Sequence, residues 1–424
     1  MNTKINIKTI FKVLFSLACF PYFFMGAMDR PAAAVAASVA PAITETGVTD
    51  VTAQLKSLAL TPPDTDGKTE ERKDVAPSKR APCEYPAILT PYVASLPKIS
   101  DDEELPLPQQ IVCFLCKFCP KIPLDGKDAL EAKVASFITE EKPVKLLIVA
   151  FAVKSCNRGK VLAPVVDFGE YVALLTLDYM CRQIKSVYPP GAELLIFSRE
   201  AQTSSANAVT QKAFGLDVFP EKLRALYQLQ LRQLIHGAGF STLKIAEFDT
   251  IEELYAKEEA REKELTKTPT PKGLKAFWRC DLDRDDFVNA AKTKAPRSYR
   301  RCLDTVADEV AHCLWIGSMA TRRVVQKCVT DYASCIRLSV RDDGDGDVSS
   351  KLAINLVYDS DGTPPHDVLT FDQSGRVRLL SRKEIDRLEE RGHEYQEKTY
   401  TVGNLKLAYM QWARFEPHFE SNFF

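Results

Sequence analysis

The sequence predicts an α/β protein with a Rossmann-like βαβ core and a second α+β half that contains a mixed or antiparallel sheet. Three observations predict it. Residues 145–153, "KLLIVAFAV", form a continuous apolar run of the length expected for a strand buried on both faces of a parallel sheet. A helix follows from Asp167 to Val187, with Phe168, Val172, Leu175 and Tyr179 at helical period; "YPPGAE" stops it, and "LLIFS" at 194–198 is a second strand. Beyond residue 335 short β-rich runs alternate with turn-rich segments.

Taken in order, the chain opens with Lys4, Lys8 and Lys12 ahead of an apolar stretch to Met25, the layout of a secretory signal peptide over residues 1–27. This predicts an exported or inner-membrane-tethered protein, and a cytoplasmic one if the leader does not function. Residues 28–105 contain "APAITETGVTD" and "TPPDTDGKTEERKDVAPSKRAP", which have no apolar period and read as a disordered linker. The folded part begins near Pro106, with an α/β half over 106–270 and an α+β half over 271–424. The first half continues with an amphipathic helix at 219–235, a strand in "STLKIAEF" and a charged helix in "TIEELYAKEEAREKELTK", solvated on most of its surface. In the second half, helices are expected at about 299–313 and 316–333, then strands at 335–340, 351–358, 367–372 and 376–381.

Lys and Arg total 56 against 57 Asp and Glu, so no global field favours nucleic acid. The cysteines number 12, an even count that permits disulfides in an exported chain, yet several lie inside apolar segments where Cys acts as a small hydrophobe. The sharpest cluster is "IVCFLCKFCPK", with Cys113, Cys116 and Cys119 at metal-ligand spacing. No fourth Cys or His follows nearby, and the same spacing makes a helix stripe among Ile111, Val112, Phe114 and Leu115; a buried helix is the expectation, with no metal. The acidic loop with Asp343, Asp345 and Asp347 lacks the Gly and Glu of a calcium loop, having Val348 and Ile354 there, and reads as a hairpin loop.

The first strand ends in a polar cluster of Lys154, Ser155, Asn157 and Lys160. In open α/β sheets ligands bind outside the carboxyl ends of the strands, so a site is expected there; an ordinary solvated loop has the same pattern. Asp167 and Glu170 are at capping-box spacing, which is sufficient to explain both.

The segment "FAVKSCNRGKVLAPVVDFGEYVALLTLDYMCRQIKSVYPPGAELLIFS" resembles the signature of the isocyanide synthase family, also known as the pyoverdine/dityrosine biosynthesis family. That signature runs Lys-Ser-Pro-Asn, Pro-Asp-x-x-Glu and Tyr-Pro-Pro-Gly-Ala. "IRLSVRDDGDGDVSSKLAINLV" and "TPPHDVLTFDQSGRVRLL" are similar to its later elements, and the ordered matches span about 143–390. The resemblance implies an enzyme that converts the amino group of an amino acid, often tyrosine or tryptophan, to an isonitrile, with ribulose 5-phosphate as carbon donor and no cofactor. It further implies secondary metabolism, with an Fe(II)/2-oxoglutarate oxygenase acting downstream. Amine addition to a ketone and cleavage of the sugar chain need proton transfers near neutral pH and cationic or amide groups for a phosphate and a carboxylate.

Carried over residue by residue, Lys154, Ser155, Asn157 and Lys160 serve anion binding and orientation, with Lys154 as a catalytic candidate. Asp167 and Glu170 either cap the helix or hold the substrate ammonium. Arg337, Ser339 and Lys351 match the later elements, with Arg337 and Lys351 suited to phosphate or carboxylate. His366 matches the family histidine and is the candidate general acid/base, against the reading of a hydrogen-bonded loop residue. The chain departs from the pattern at Cys156, Pro365 and Asp367, and in "SREAQTSS", where Arg199 and Glu200 replace an Asp-Gly turn. The alternatives are an exported non-catalytic protein that keeps the fold and an anion pocket, and an enzyme that forms N-formyl amino acids.

Overall fold

The computed structural model describes residues 85–99, 105–119, 127–198, 202–246, 251–265, 270, 275, 279–329, 332–340, 351–360 and 362–413. The leader, most of the linker, Arg199, Glu200 and the acidic loop at 341–350 lie outside the described residues.

In chain order the helices are α1 (Thr90–Ser95), α2 (Leu107–Cys116), α3 (Lys127–Thr139), α4 (Phe168–Val187), α5 (Gln202–Phe214), α6 (Glu221–Gly237), α7 (Ile251–Leu265), α8 (Asp285–Lys294), α9 (Tyr299–Cys328) and α10 (Arg382–Glu389). The strands are β1 (Val144–Val149), β2 (Ala192–Phe197), β3 (Leu243–Ile245), β4 (Ile336–Ser339), β5 (Lys351–Ala353), β6 (Val368–Phe371), β7 (Val377–Leu380), β8 (Tyr395–Val402) and β9 (Leu405–Trp412).

The expected βαβ unit is present: β1 and β2 pair in parallel, Leu146 against Leu194, and α4 connects them. Asp167 caps α4 with both arms of the capping box in place. The first sheet is wholly parallel, ordered β3-β2-β1-β4-β5. Side chains alternate across β1, as a strand covered on both faces requires. Leu146 and Ile148 face the main core with α4, while Leu147 packs with Tyr255 of α7 and Val324 of α9.

The second sheet is mixed, ordered β7-β6-β9-β8. β6 runs antiparallel to β7 and parallel to β9, and β8 with β9 forms a hairpin. Helix α4 lies between the sheets, packing on β2 and β3 and also on β6 and β9, which is why most of its residues are buried. Its Phe168 ring stands 5.3 Å from Tyr171, 5.0 Å from Tyr409 and 5.5 Å from Tyr400, joining the helix to the second sheet.

Several elements differ from the sequence expectation, each for a physical reason. The expected strands at 335–340 and 351–358 are β4 and β5, and they extend the first sheet instead of building the second. The two expected helices at 299–313 and 316–333 are one helix, α9, because Leu314 and Trp315 between them carry no helix breaker and Gly317 just beyond weakens a helix without stopping it. α7 is less solvated than its charge predicts: Glu258, Glu259 and Glu262 are buried, with Arg323 and Lys327 of α9 paired to Glu262 and Glu258. The β8–β9 hairpin carries "KTYTVGNLKLAYM", a strand pair with Gly403 at φ 56° in its turn, and was not expected. The Cys113, Cys116, Cys119 stripe lies on α2 and at its end, with Cys116 buried and burial pushing the Cys119 thiol up to about 12. Among the described residues no group of three or more His, Cys, Asp and Glu side chains is arranged to hold a metal ion.

Candidate active site

The strand order of the first sheet fixes where a site can form. From β1 the chain proceeds outward to β2 and β3 on one side and, later, to β4 and β5 on the other. The carboxyl ends of β1 and β4 therefore flank the switch point, where connections leave in opposite directions and open a crevice. Val149 ends β1 there with 47% of its surface exposed, unusual for an apolar residue on a central strand. Phe151, two residues on, is held at φ 59°, a left-handed conformation that costs a bulky residue about 1–3 kcal/mol. Its carbonyl accepts hydrogen bonds from Ser198 Oγ at 2.6 Å and Gln228 Nε2 at 2.7 Å, and Gln228 Nε2 also donates to Ala152 O. These bonds hold the strained exit from β1 and launch the signature loop.

The loop turns inward and buries charge. Lys154 is 1% exposed, and its ammonium donates to Glu170 Oε1 at 2.9 Å, Glu170 Oε2 at 2.8 Å and Pro364 O at 3.0 Å. Asp167 Oδ2 lies closer still, 2.7 Å from the ammonium, as a second ion pair. Tyr227 of α6 donates to Glu170 Oε1 at 3.3 Å. One ammonium thus faces two carboxylates, and the cluster carries a formal charge of about −1 away from water. Burial pushes Asp167 well above the usual carboxylate range, the Lys154 charge works against that, and Glu170 adds to it. Burial by itself disfavours the Lys154 ammonium, yet Asp167 and then Glu170 outweigh it and raise its pKa. Asp167 is thereby held closer to protonation than an exposed carboxylate.

A second buried carboxylate organises the rest of the loop. Asp281, 1% exposed, accepts from Ser155 Oγ at 2.5 Å and from Lys160 Nζ at 3.0 Å. Asn157 closes a turn, its Oδ1 accepting from Gly159 N at 2.8 Å, and its Nδ2 donates to Asp283 O. The Gly159 and Lys160 carbonyls accept from Lys383 N and Arg382 N at the start of α10. Burial pushes the Cys156 thiol up to about 12, so it is no thiolate nucleophile near neutral pH.

His366 reaches the loop through its own turn. Ser155 N donates to Pro365 O at 2.8 Å, Lys154 bonds the carbonyl of Pro364, and His366 N donates back to Thr363 O. His366 is 8% exposed. A Cβ on Gly169 would lie 3.3 Å from Pro364 Cβ, and one on Gly362 would lie 2.5 Å from Leu379 Cβ, so both glycines permit the close approach of this turn to α4 and β7.

The structure thus gathers Lys154, Ser155, Asn157, Lys160, Asp167, Glu170 and the His366 turn. Arg337 and Ser339 are on β4, with Arg337 in register with Leu147 of β1, and Lys351 of β5 is in register with Arg337. Arg337 Nη1 donates to Tyr332 OH at 2.8 Å with its guanidinium over that ring. Asp281, Tyr227 and Gln228 escaped the sequence reading. Asp281 sits in the acidic run "CDLDRDD", and Tyr227 and Gln228 in an amphipathic helix, with no local signal that separates them from ordinary surface or core residues.

Comparison with known proteins agrees with the motifs. Residues 134–271 match the family of pyoverdine/dityrosine biosynthesis proteins. The L-tyrosine isonitrile synthase of Xenorhabdus nematophila is 28% identical over 122 residues, 29% of this chain and 33% of that protein. The L-tryptophan isonitrile synthase AmbI1 of Fischerella ambigua is 35% identical over 104 residues, 24% of this chain and 30% of that protein. These matches span about a third of the length of those relatives. The crystal structure of the PvcA protein from Pseudomonas aeruginosa shares the fold, with a TM-score of 0.57 at 19% identity over 72% of this chain and 100% of that one.

Proposed function

We propose, on the premise that this chain carries the core of the isocyanide synthase family, that it is an enzyme converting the amino group of an amino acid to an isonitrile. The amino acid is aromatic in this reading and the carbon donor is ribulose 5-phosphate. The observation that carries the proposal is the convergence, at the switch point of a parallel sheet, of the signature loop, the α4 carboxylates and the His366 turn.

The chemistry asks for three things. Addition of the amine to the sugar ketone forms a carbon–nitrogen bond while a proton moves from nitrogen to the carbonyl oxygen, and cleavage of the sugar chain then breaks carbon–carbon bonds beside that carbon. Proton transfer is assigned to His366, imidazole being the side chain that most readily gives and takes a proton near neutrality. The buried negative cluster of Asp167 and Glu170 favours a cationic group beside it, which suits a substrate ammonium; Lys154 supplies the charge that holds the two carboxylates together. Ser155, Asn157 and Lys160 orient the loop, and Arg337 and Lys351 on the neighbouring strands suit a phosphate or carboxylate.

The test supplies purified protein with 13C-labelled ribulose 5-phosphate and a panel of amino acids including tyrosine and tryptophan. An isonitrile product that carries the label is expected, and His366→Ala should lower kcat by about 10²–10⁴. A labelled formyl product would replace this reading with N-formyl formation. Binding of substrates without labelled product from any amino acid would overturn the enzymatic assignment.

A further inference from the structure

A cavity of about 670 Å3, none of whose lining residues belongs to the signature loop, lies between α10, the β6–β7 hairpin and the open end of the β8–β9 pair. Its volume is within the range of small-molecule pockets. Its walls are rich in donors: Arg378, Arg387, Arg391, His393, Tyr395 and Trp412.

The acidic residues at its rim do not balance these cations. Asp372 Oδ1 accepts from Ser374 N, Ser374 Oγ and Arg376 N to close the β6–β7 turn, and its Oδ2 is 3.5 Å from Arg378 Nε. Glu384 Oε2 accepts from Ser381 N and Ser381 Oγ in the α10 capping box. Arg387, in the last turn of α10, and Arg391, in the turn just past its end, make no guanidinium hydrogen bond or ion pair among the described residues.

The apolar wall is ordered. Trp412 meets His393 edge-on at 4.8 Å and Tyr395 at 5.6 Å, and its indole N–H is buried without an acceptor. A cavity whose two carboxylates are engaged in a turn and a helix cap, while Arg387, Arg391 and the Trp412 indole N–H keep free donors beside fixed rings, selects an oxyanion that carries a planar or apolar body.

We propose that this cavity is a second small-molecule site, for an organic oxyanion with a ring, bound by Arg387 and Arg391 through the oxyanion and by Tyr395 and Trp412 through the ring. The site stands on geometry that the isonitrile reading does not use. The first turn of α10 also donates from Arg382 N and Lys383 N to the signature loop, so an occupant would press on the helix that borders that loop.

Phenyl phosphate, benzoate, inorganic phosphate and phenol are titrated into the full chain by calorimetry and by intrinsic fluorescence. Phenyl phosphate and benzoate should bind and change the fluorescence, and both should bind more tightly than inorganic phosphate or phenol, which each lack one half of the recognised group. The double variant Arg387→Ala/Arg391→Ala should weaken binding by about tenfold or more, with an unchanged melting temperature because both side chains are exposed. Trp412→Phe should abolish the fluorescence response and keep calorimetric binding of the anion within about tenfold. Unaltered binding in the arginine double variant would overturn the site, as would equal affinity for phenyl phosphate and inorganic phosphate. Absence of binding by any of the four probes would overturn it also.

Discussion

Lys154→Met tests the centre of the candidate site most directly. The methionine keeps the length and apolar stem of the side chain and removes only the ammonium, which makes contacts of 2.7–3.0 Å with Glu170, Asp167 and Pro364 O. The pair is fully desolvated, at 0% side-chain exposure for both Lys154 and Glu170, so solvent screening does not soften the loss. Removing one partner of a buried pair costs about 3–5 kcal/mol, because the other charge stays buried and unpaired. At about 2 °C per kcal/mol for a folded unit of this size, the melting temperature should fall by roughly 6–10 °C.

The sign of the pH dependence follows from the same cluster. Without the ammonium, burial and the neighbouring Glu170 hold Asp167 above its unfolded range of about 4 with nothing to oppose them. The native state then binds more protons than the unfolded state from about pH 4 up to the raised pKa, so stability falls as pH rises through that window. The deficit of Lys154→Met against the parent should be largest at pH 7–8 and smaller at pH 5. Chemical unfolding at the two pH values measures it. Adding Glu170→Gln, which keeps a capping-box side chain, should recover part of the loss. A deficit below about 1 kcal/mol at pH 7.5, or no recovery in the double variant, would refute the account of the cluster.

Four further outcomes are expected. In the parent protein the raised Lys154 pKa contributes stability that is fully present below about pH 10.4 and is lost as pH rises through the folded value, so Lys154→Met should flatten the alkaline limb of a stability profile. Phe168→Ala should cost about 3–5 kcal/mol in denaturant unfolding, since it empties the ring cluster joining α4 to the second sheet; a loss under 1 kcal/mol would deny that joint. Asp281→Asn should cost about 1.5–3 kcal/mol by weakening the bonds to Ser155 and Lys160, and a Ser155→Ala background should reduce its effect, read as a double-mutant cycle. With its thiol pushed up to about 12, Cys156 holds on the order of a thousandfold less thiolate at pH 8 than an unperturbed cysteine, so iodoacetamide should label it far more slowly in the native protein than after unfolding; rapid native labelling seen by peptide mass spectrometry would contradict the suppressed thiolate.

The local signals carried the α/β class. An uninterrupted apolar run, a capping box and a proline-glycine stop are short-range features, and each decides its element through contacts within a turn or two of the chain. That is why β1, α4 and β2 were legible, together with the loop after β1 as the place for a site. Where an element belongs in a sheet is decided by partners far along the chain. β4 and β5 read as part of a second sheet because nothing in "CIRLSV" or "KLAINLVY" states that its edge meets β1. The site residues divide in the same way. Lys154, Asp167 and Glu170 were found from a motif and a helix cap, yet their merger into one buried charge cluster needs Pro364, some two hundred residues away, and Tyr227 from α6. Asp281 and Gln228 gain their roles only when α6 and the segment before α8 close over the loop. Burial is what gives them those roles, because a carboxylate or amide withdrawn from water must bond what the fold brings to it, and only the tertiary structure decides what that is.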